Sequence, residues 1–315
     1  MLSIIFLVIG FILLIKGADL FVDGSSNVAK ALGIPSLIIG LTIVAFGTSA
    51  PEAAVSVTAS LKGMNDISLG NVVGSNICNL LLVLGFSGLG GCLTAKKKII
   101  TRDFIYAIFS SIVMLFLSYG FFFGKTTYAS AIIDREDGLI LLCFLGIYLY
   151  ALLTDAARSV KKNEEKSEFK IKDLGFIGIG LAGIIFGGQL VVDNATKIAE
   201  MLNVSQDVIA LTIVAIGTSL PELVTSFIAA KKGESDIAIG NVVGSNIFNI
   251  FFILGISSVI SPITYGFNSF VDIVIMFISS VMVYLLTLKN FRIGNKKGLI
   301  LLASYAMYLV YILVR

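Results

Sequence analysis

Apolar residues run along this chain in continuous blocks of about 20, separated by short polar knots, and do not alternate with polar ones. Ten such blocks stand out, at roughly 2–22, 35–61, 67–91, 104–123, 137–154, 174–194, 206–230, 237–261, 269–288 and 298–314. A hydrocarbon core ~30 Å thick takes about 20 residues of α-helix to cross. Continuous apolar character also argues against a transmembrane barrel, whose strands alternate. Each block therefore predicts a membrane-spanning helix. The first block has no basic leader and no small-residue cleavage site, so a retained span is expected there, not a signal peptide.

Composition agrees and narrows the function classes. Of 315 residues, 57 % are apolar and 14 % charged, against about 45–50 % and about 25 % in soluble domains. That balance excludes a cytosolic enzyme and a nucleic-acid binder, and it predicts no nucleic-acid partner. The chain has no histidine, which removes imidazole proton relays and imidazole-held zinc, copper or haem. Cys78, Cys92 and Cys143 form no CxxC pair, so no disulfide framework or thiolate cage is indicated. No HExxH, serine–histidine pair or nucleotide loop is present, so the chain is not expected to be an enzyme.

Net charge is only +3, and its distribution matters more than its sum. With the N-terminus outside, 17 of the 23 Lys and Arg fall in inside connections and 5 outside, leaving Lys16 within the first span. The positive-inside bias then predicts both termini outside and a cytoplasmic 155–173 linker. The linker's alternating signs, as in Lys161, Lys162, Glu164, Glu165 and Lys166, read as a solvated tether.

Comparing the halves exposes a repeat. Residues 40–79 and 210–249 align without a gap at an offset of 170, with 25 of 40 positions identical. The match extends upstream, pairing Gly10 with Gly180, Gly17 with Gly187, Asp23 with Asp193 and Ala29 with Ala199. Five spans per copy is an odd number, so the second copy enters the membrane upside down. The expected fold is an all-α integral membrane protein of ten transmembrane helices, arranged as two inverted five-helix repeats. Its parts are a first repeat at 1–154, the 155–173 linker and a second repeat at 174–315. Inverted repeats with interrupted helices are the signature of alternating-access secondary transport, with the site near the midplane.

The repeated segments carry the candidate chemistry. Gly47-Thr48-Ser49-Ala50-Pro51-Glu52 lies in the middle of an apolar block. Pro51 lacks an amide proton and its ring crowds the Gly47 carbonyl, so the helix must open there. Irregular backbone at this depth survives only where it faces protein or a cavity. Glu52 follows Thr48 by four residues, so carboxylate and hydroxyl share a helical face. The second copy supplies Gly217, Thr218, Ser219, Pro221 and Glu222. The companion segment GNVVGSNICN places Ser75 and Asn79 on one face, and its twin offers Ser245 and Asn249. Gly70 and Gly74, on a neighbouring stripe, predict close backbone approach.

Every ligand in this inventory is oxygen. Such a set suits hard cations, and Ca²⁺, with six to eight oxygens, fits better than Mg²⁺, which sheds water reluctantly. No organic cofactor is indicated. An ionised carboxylate at the bilayer centre costs at least about 2.5–3.5 kcal/mol, and intramembrane acids are functional by default. Two facing each other also repel, so each must be protonated, paired or metal-bound. The repeated segments hold no midspan Lys or Arg to pair with them. The competing reading is a structural one, two neutral acids bridging helices.

Two copies of GTSxPE, each followed some 20 residues later by GNVVGSNIxN, resemble the alpha-repeats of the calcium/cation antiporter superfamily, and within it the prokaryotic sodium/calcium exchangers. The resemblance covers essentially the whole chain. It implies electrogenic exchange of external Na⁺ for Ca²⁺ at a cluster of four sites between spans 2, 3, 7 and 8. By position it makes Glu52 and Glu222 the shared carboxylate ligands, with Asn79 and Asn249 on the central flank. Thr48, Thr218, Ser75, Ser245 and the carbonyls of Ala45 and Ala215 complete the shells, with Ser49 and Ser219 as adjacent support. Some family members carry aspartate at the position of Asn249, whereas this chain has asparagine in both halves. The site thus holds a formal −2, which Ca²⁺ balances and three Na⁺ would overcharge by one. A Ca²⁺/H⁺ antiporter using the same two glutamates is the alternative. The implied partners are inorganic cations and membrane lipid, with no obligatory protein partner.

Lesser features carry plainer expectations. Lys16, Asp19 and Asp23 read as an interfacial cluster with Lys16 snorkelling, with a gating role as the weaker alternative, raised at Asp23 by its twin Asp193; Asp272 reads as a helix-start acid. Cys78 reads as packing and Lys96–Lys98 as a topology determinant. Gly10 and Gly17, repeated as Gly180 and Gly187, lie on one face of spans 1 and 6, where ordinary close packing explains them. The family resemblance suggests that these slide across the site-bearing bundle, with Leu at Gly10 or Gly180 slowing transport and sparing Ca²⁺ affinity.

Overall fold

In the computed structural model, residues 2–117, 131–160, 170–202, 215–288 and 290–314 are described, and most of them are helical. The first apolar block becomes α1 (Leu2–Leu32). The second is broken, as α2 (Ser36–Thr48) and α3 (Ala50–Leu61), bent by 48°. Then come α4 (Ile67–Gly90), α5 (Ile99–Leu117), α6 (Arg135–Val160) and α7 (Ile171–Met201). A short α8 (Ala215–Thr218) precedes α9 (Leu220–Lys231). The chain continues with α10 (Ser235–Ile260), α11 (Phe267–Leu288) and α12 (Asn295–Val314). Among the described residues eight helices are long and apolar enough to cross a membrane, or nine with α2 and α3 counted as one broken span. The remaining predicted span, 206–230, is described only from Ala215 onward. The tail of 104–123 beyond Leu117 and the middle of the linker also lie outside the described residues.

Helices α1 and α7 have 31 residues each and outrun their apolar blocks. At 1.5 Å per residue each is roughly 46 Å long, more than a bilayer core. Their extra turns are rich in small residues, and in α1 Gly24, Ser25, Ser26 and Ala29 are buried. Burial divides the helices into two groups. The apolar windows of α4 and α10 are 78 % buried, against 22–28 % for α1, α6, α7 and α12. The two helices carrying GNVVGSN are thus central, and the others mostly present apolar side chains outward, as lipid contact requires.

The glycine stripes do not face the bundle. A Cβ at Gly17 would sit 2.7 Å from the Gly180 carbonyl oxygen and 2.8 Å from the Ile184 nitrogen. One at Gly187 would sit 2.6 Å from the Leu14 nitrogen, and one at Gly10 3.0 Å from the Gly187 carbonyl oxygen. The stripes join α1 to α7 backbone to backbone, the packing that small residues permit where lipid removes any hydrophobic drive. This corrects the expectation of smooth sliding faces. At Gly70 and Gly74 an added Cβ would meet no described atom within 4 Å; residues 206–214, which match part of α2 in the second copy, lie outside the described residues, and the predicted close approach falls there. Their twins Gly240 and Gly244 do pack closely, against Gly40, Leu41 and Ala45.

Both half-helices end alike. Gly63 (φ 72°) and Gly233 (φ 76°) adopt the left-handed conformation after Lys62 and Lys232. The amides of Met64 and Glu234 then return to the carbonyls of Ala59 and Ala229, each at 2.9 Å, which closes the helix ends as glycine termination does. The continuous apolar pattern gave no sign of strands, yet two short antiparallel pairs tie the connections. Strand β1 (Leu93–Thr94) pairs with β4 (Arg292–Ile293), and β2 (Ala131–Ile133) with β3 (Ile263–Tyr265). Runs of two or three residues carry no readable period. Asp272 lies buried in the second turn of α11, not at its start.

Candidate functional site

Proline decides where the helices break. Ser49 (φ −81°, ψ 7°) and Ser219 (φ −88°, ψ 4°) make the two turns, and Pro51 and Pro221 then start α3 and α9. Proline is cheap there, because first-turn amides have no intrahelical partner. Glu52 and Glu222 follow in those same first turns, where the positive end of a helix dipole favours an anion. Ala45 stands one turn before the break at Ser49, and Ala215, which opens α8, holds the matching place before Ser219.

Both carboxylates are fully buried, and each is bound by both halves of the chain. Glu222 Oε1 accepts hydrogen bonds from Ser49 at 2.8 Å and from Ser245 at 3.3 Å. Glu52 Oε1 accepts from Ser219 at 3.3 Å and from Ser75 at 3.4 Å. Ser49 and Ser219 thus do more than support their own segment, since each crosses to the carboxylate of the other copy. Sequence alone could not show the crossing, because it depends on how the two breaks face.

Asparagines lock the centre. The side-chain amide of Asn76 donates to the Asn246 carbonyl at 3.2 Å, and that of Asn246 donates back to the Asn76 carbonyl at 3.3 Å. Asn249 donates to Asn76 Oδ1 at 2.9 Å. Asn76 and Asn246 were missed as site residues, although their doubling inside GNVVGSN was a legible signal. A π-helical turn opens at Asn79 in α4 and at Asn249 in α10, a distortion that marks functional positions in helices. Thr48 donates to Asn241, while Thr218 lies 3.5 Å from Asn71 Oδ1. The Ala45 carbonyl accepts from the Ser49 amide at 3.0 Å, and the Thr48 and Ser245 hydroxyls lie 3.3 and 3.4 Å from it as an alternative to their bonds with Asn241 and Glu222.

The remaining polar atoms define what the centre can do. Glu52 Oε2, Glu222 Oε2, Asn249 Oδ1, Asn246 Oδ1 and both Oδ1 and Nδ2 of Asn79 are buried without a protein hydrogen-bond partner. Buried polar groups are normally satisfied, and exceptions call for an explanation such as an ion. The contrast with Asp103 is instructive. That acid is equally buried but lies 2.6 Å from the Arg102 guanidinium, whereas neither central glutamate has a basic partner among the described residues. Uncompensated buried oxygens of this kind suit a hard cation.

A multi-pass helical membrane protein with such a centre belongs to the class that carries inorganic cations. The sequence pattern of the family described as Sodium/calcium exchanger protein matches residues 2–154 and 172–314. The chain belongs to the sodium/calcium exchanger family, and its activity class is membrane cation antiport of the calcium-exchanger kind. It is 37 % identical over 269 residues to Inner membrane protein YrbG of Escherichia coli K12, covering 81 % of this chain and 79 % of that one. It is 32 % identical over 350 residues to the sodium/calcium exchanger MaX1 of Methanosarcina acetivorans, covering 98 % and 97 %. Among solved structures it is similar to the sodium-calcium exchanger NCX_Mj soaked with Na⁺ and Sr²⁺, with a TM-score of 0.82, 33 % identity and 98 % of both chains covered.

Proposed function

We propose that this protein exchanges Na⁺ for Ca²⁺ by alternating access, with Glu52 and Glu222 as the two charged ligands shared by competing ions. In this reading ten transmembrane helices form two inverted five-helix repeats, 1–154 and 174–315, with both termini outside and the 155–173 linker in the cytoplasm. The observation that carries it is the pair of buried carboxylates, each hydrogen-bonded from both halves, with Oε2 of both lacking any partner. Asn79, Asn249, Thr48, Thr218, Ser75, Ser245 and the carbonyls of Ala45 and Ala215 furnish neutral oxygens around them, and a divalent cation offsets the carboxylate charge. Only a loaded centre then escapes the cost of an uncompensated buried charge, so only a loaded centre changes access. Inward movement of one charge across 100 mV supplies about 2.3 kcal/mol, and several together oppose a steep Ca²⁺ gradient.

The deciding experiment is ⁴⁵Ca²⁺ uptake into proteoliposomes of the purified protein. An outward Na⁺ gradient is expected to drive uptake at constant pH. Uptake driven by a pH step in sodium-free buffer, with no response to Na⁺, would replace this reading by Ca²⁺/H⁺ exchange on the same glutamates.

The ion pairs at the two ends differ. Around Gly240 and Gly244 the backbone of α10 lies against α2. That end also carries ion pairs. Lys232 Nζ lies 2.7 Å from both Asp19 and Asp23 of α1, and Ser26 donates to Glu234 at 2.6 Å. Burial alone would lower the Lys232 pKa, but the hydrogen bonds and charges of Asp19 and Asp23 outweigh it and raise the ammonium above its ordinary value. At the other end Lys62, the twin of Lys232, makes no ion pair among the described residues, and Asp193, the twin of Asp23, accepts from Gln189 at 2.9 Å. The Lys232 contacts therefore hold α1 to the end of α9. Partly exposed pairs contribute about 0–1 kcal/mol each, so Lys232→Gln is expected to shift the balance of states only about two- to fivefold. Apparent Ca²⁺ affinity should rise on the Lys232 side and fall on the other by that factor, measured in vesicles of each orientation. No shift on either side would remove the latch from the mechanism.

A further inference from the structure

Asn71 and Asn241 lie outside the proposed ligand set and occupy matching places in the two copies, one turn before Ser75 and Ser245. Their amide protons are committed to their own half. Asn71 Nδ2 donates to Ser56 at 2.9 Å and to the Glu52 carbonyl at 3.1 Å. Asn241 Nδ2 donates to Ser226 at 2.9 Å and to the Glu222 carbonyl at 3.5 Å. Held this way, each Oδ1 points at the threonine of the other half.

Thr48 Oγ1 lies 2.9 Å from Asn241 Oδ1, 3.1 Å from the Val44 carbonyl and 3.3 Å from the Ala45 carbonyl. A helical threonine ordinarily returns its proton to such a carbonyl of the preceding turn. The hydroxyl has one proton and two lone pairs, so the chosen acceptor decides which oxygens remain for an ion. Bonded to Asn241, the Thr48 oxygen is fixed as an acceptor, and the Ala45 carbonyl is spared one of its donors. A carboxamide does this without adding a third negative charge to the centre.

We propose that Asn241 and Asn71 are positioning residues, taking the hydroxyl protons of Thr48 and Thr218 across the pseudo-two-fold so that the threonine oxygens present lone pairs to the transported cation. The two bonds differ in length: Thr48 lies 2.9 Å from Asn241, which is fully buried, and Thr218 lies 3.5 Å from Asn71 Oδ1. This inference rests on the reading of Glu52 and Glu222 as ligands.

The test is equilibrium ⁴⁵Ca²⁺ binding to the purified full-length protein, with Na⁺ competition, in a double-mutant cycle. Thr48→Val and Asn241→Leu are each expected to weaken Ca²⁺ binding about tenfold. The double variant is expected to lose no more than the worse single one, because an acceptor without its donor has nothing left to orient. Thr48→Ser, which keeps the hydroxyl, should bind better than Thr48→Val only when Asn241 is present. Additive losses, or a serine advantage that persists in Asn241→Leu, would overturn the proposal. If Asn241→Leu does not fold, Ser226→Ala releases the Asn241 amide, and the same non-additivity with Thr48→Val is expected. Normal Ca²⁺ binding by Glu52→Gln would refute the ligand reading itself. Lost binding in Glu52→Gln together with an additive cycle would refute the positioning role alone.

Discussion

Glu52→Gln and Glu222→Gln are each expected to abolish Na⁺-driven ⁴⁵Ca²⁺ flux and to weaken Ca²⁺ binding by roughly 100-fold or more, the scale on which truncating one partner of a buried charge pair acts. Glutamine is nearly isosteric and keeps an oxygen to accept from Ser219 and Ser75, or from Ser49 and Ser245. The substitution therefore removes the charge and leaves the hydrogen-bonded frame in place. It also removes the cost of a buried carboxylate that has no protein counter-ion. In Ca²⁺-free buffer each variant should unfold at a temperature equal to or above that of the unaltered protein, and added Ca²⁺ should no longer raise it, because a ligand stabilises only in proportion to its binding. Substantial flux in either variant would remove both carboxylates from the centre of the mechanism. A large fall in unfolding temperature would show instead that they serve the fold.

Gly17→Leu is expected to prevent α1 from docking on α7, so that little monodisperse protein survives size-exclusion chromatography in mild detergent. The Cβ alone would lie 2.7–2.9 Å from three backbone atoms of α7. Backbone cannot turn aside as a side-chain tip can, so two 31-residue helices must separate along their contact. Overpacking a core ordinarily costs about 1–3 kcal/mol, and a contact with backbone on both sides lies at or beyond the top of that range. Gly17→Ala should show a smaller loss in the same direction. A Gly17→Leu protein with unaltered elution and melting would mean that the stripes are free surfaces after all.

The site residues show how far residue order carries the argument. Glu52 and Glu222 were legible because an acid inside an apolar block is costly and both copies keep it. Pro51 and Pro221 were legible because proline breaks helices wherever it falls in the interior. Asn76 and Asn246 were present in the same doubled motif, but nothing in their spacing distinguished an interlock from a ligand. The glycines were legible as small residues suited to close packing. Which surface they met was not.

Hydropathy and the 170-residue offset by themselves determined the membrane class, the position of the breaks and an all-oxygen donor set, because each is written in the order of residues along one helix or in its duplicate. Only the tertiary structure decided that Ser49 reaches Glu222, that α1 and α7 join through their glycines, and that Lys232 pairs with Asp19 and Asp23 while its twin Lys62 makes no ion pair among the described residues. Those facts concern faces of helices more than a hundred residues apart in the chain. Two nearly identical segments can meet different neighbours, because the energy that separates the arrangements lies in contacts between helices and not in the segments themselves.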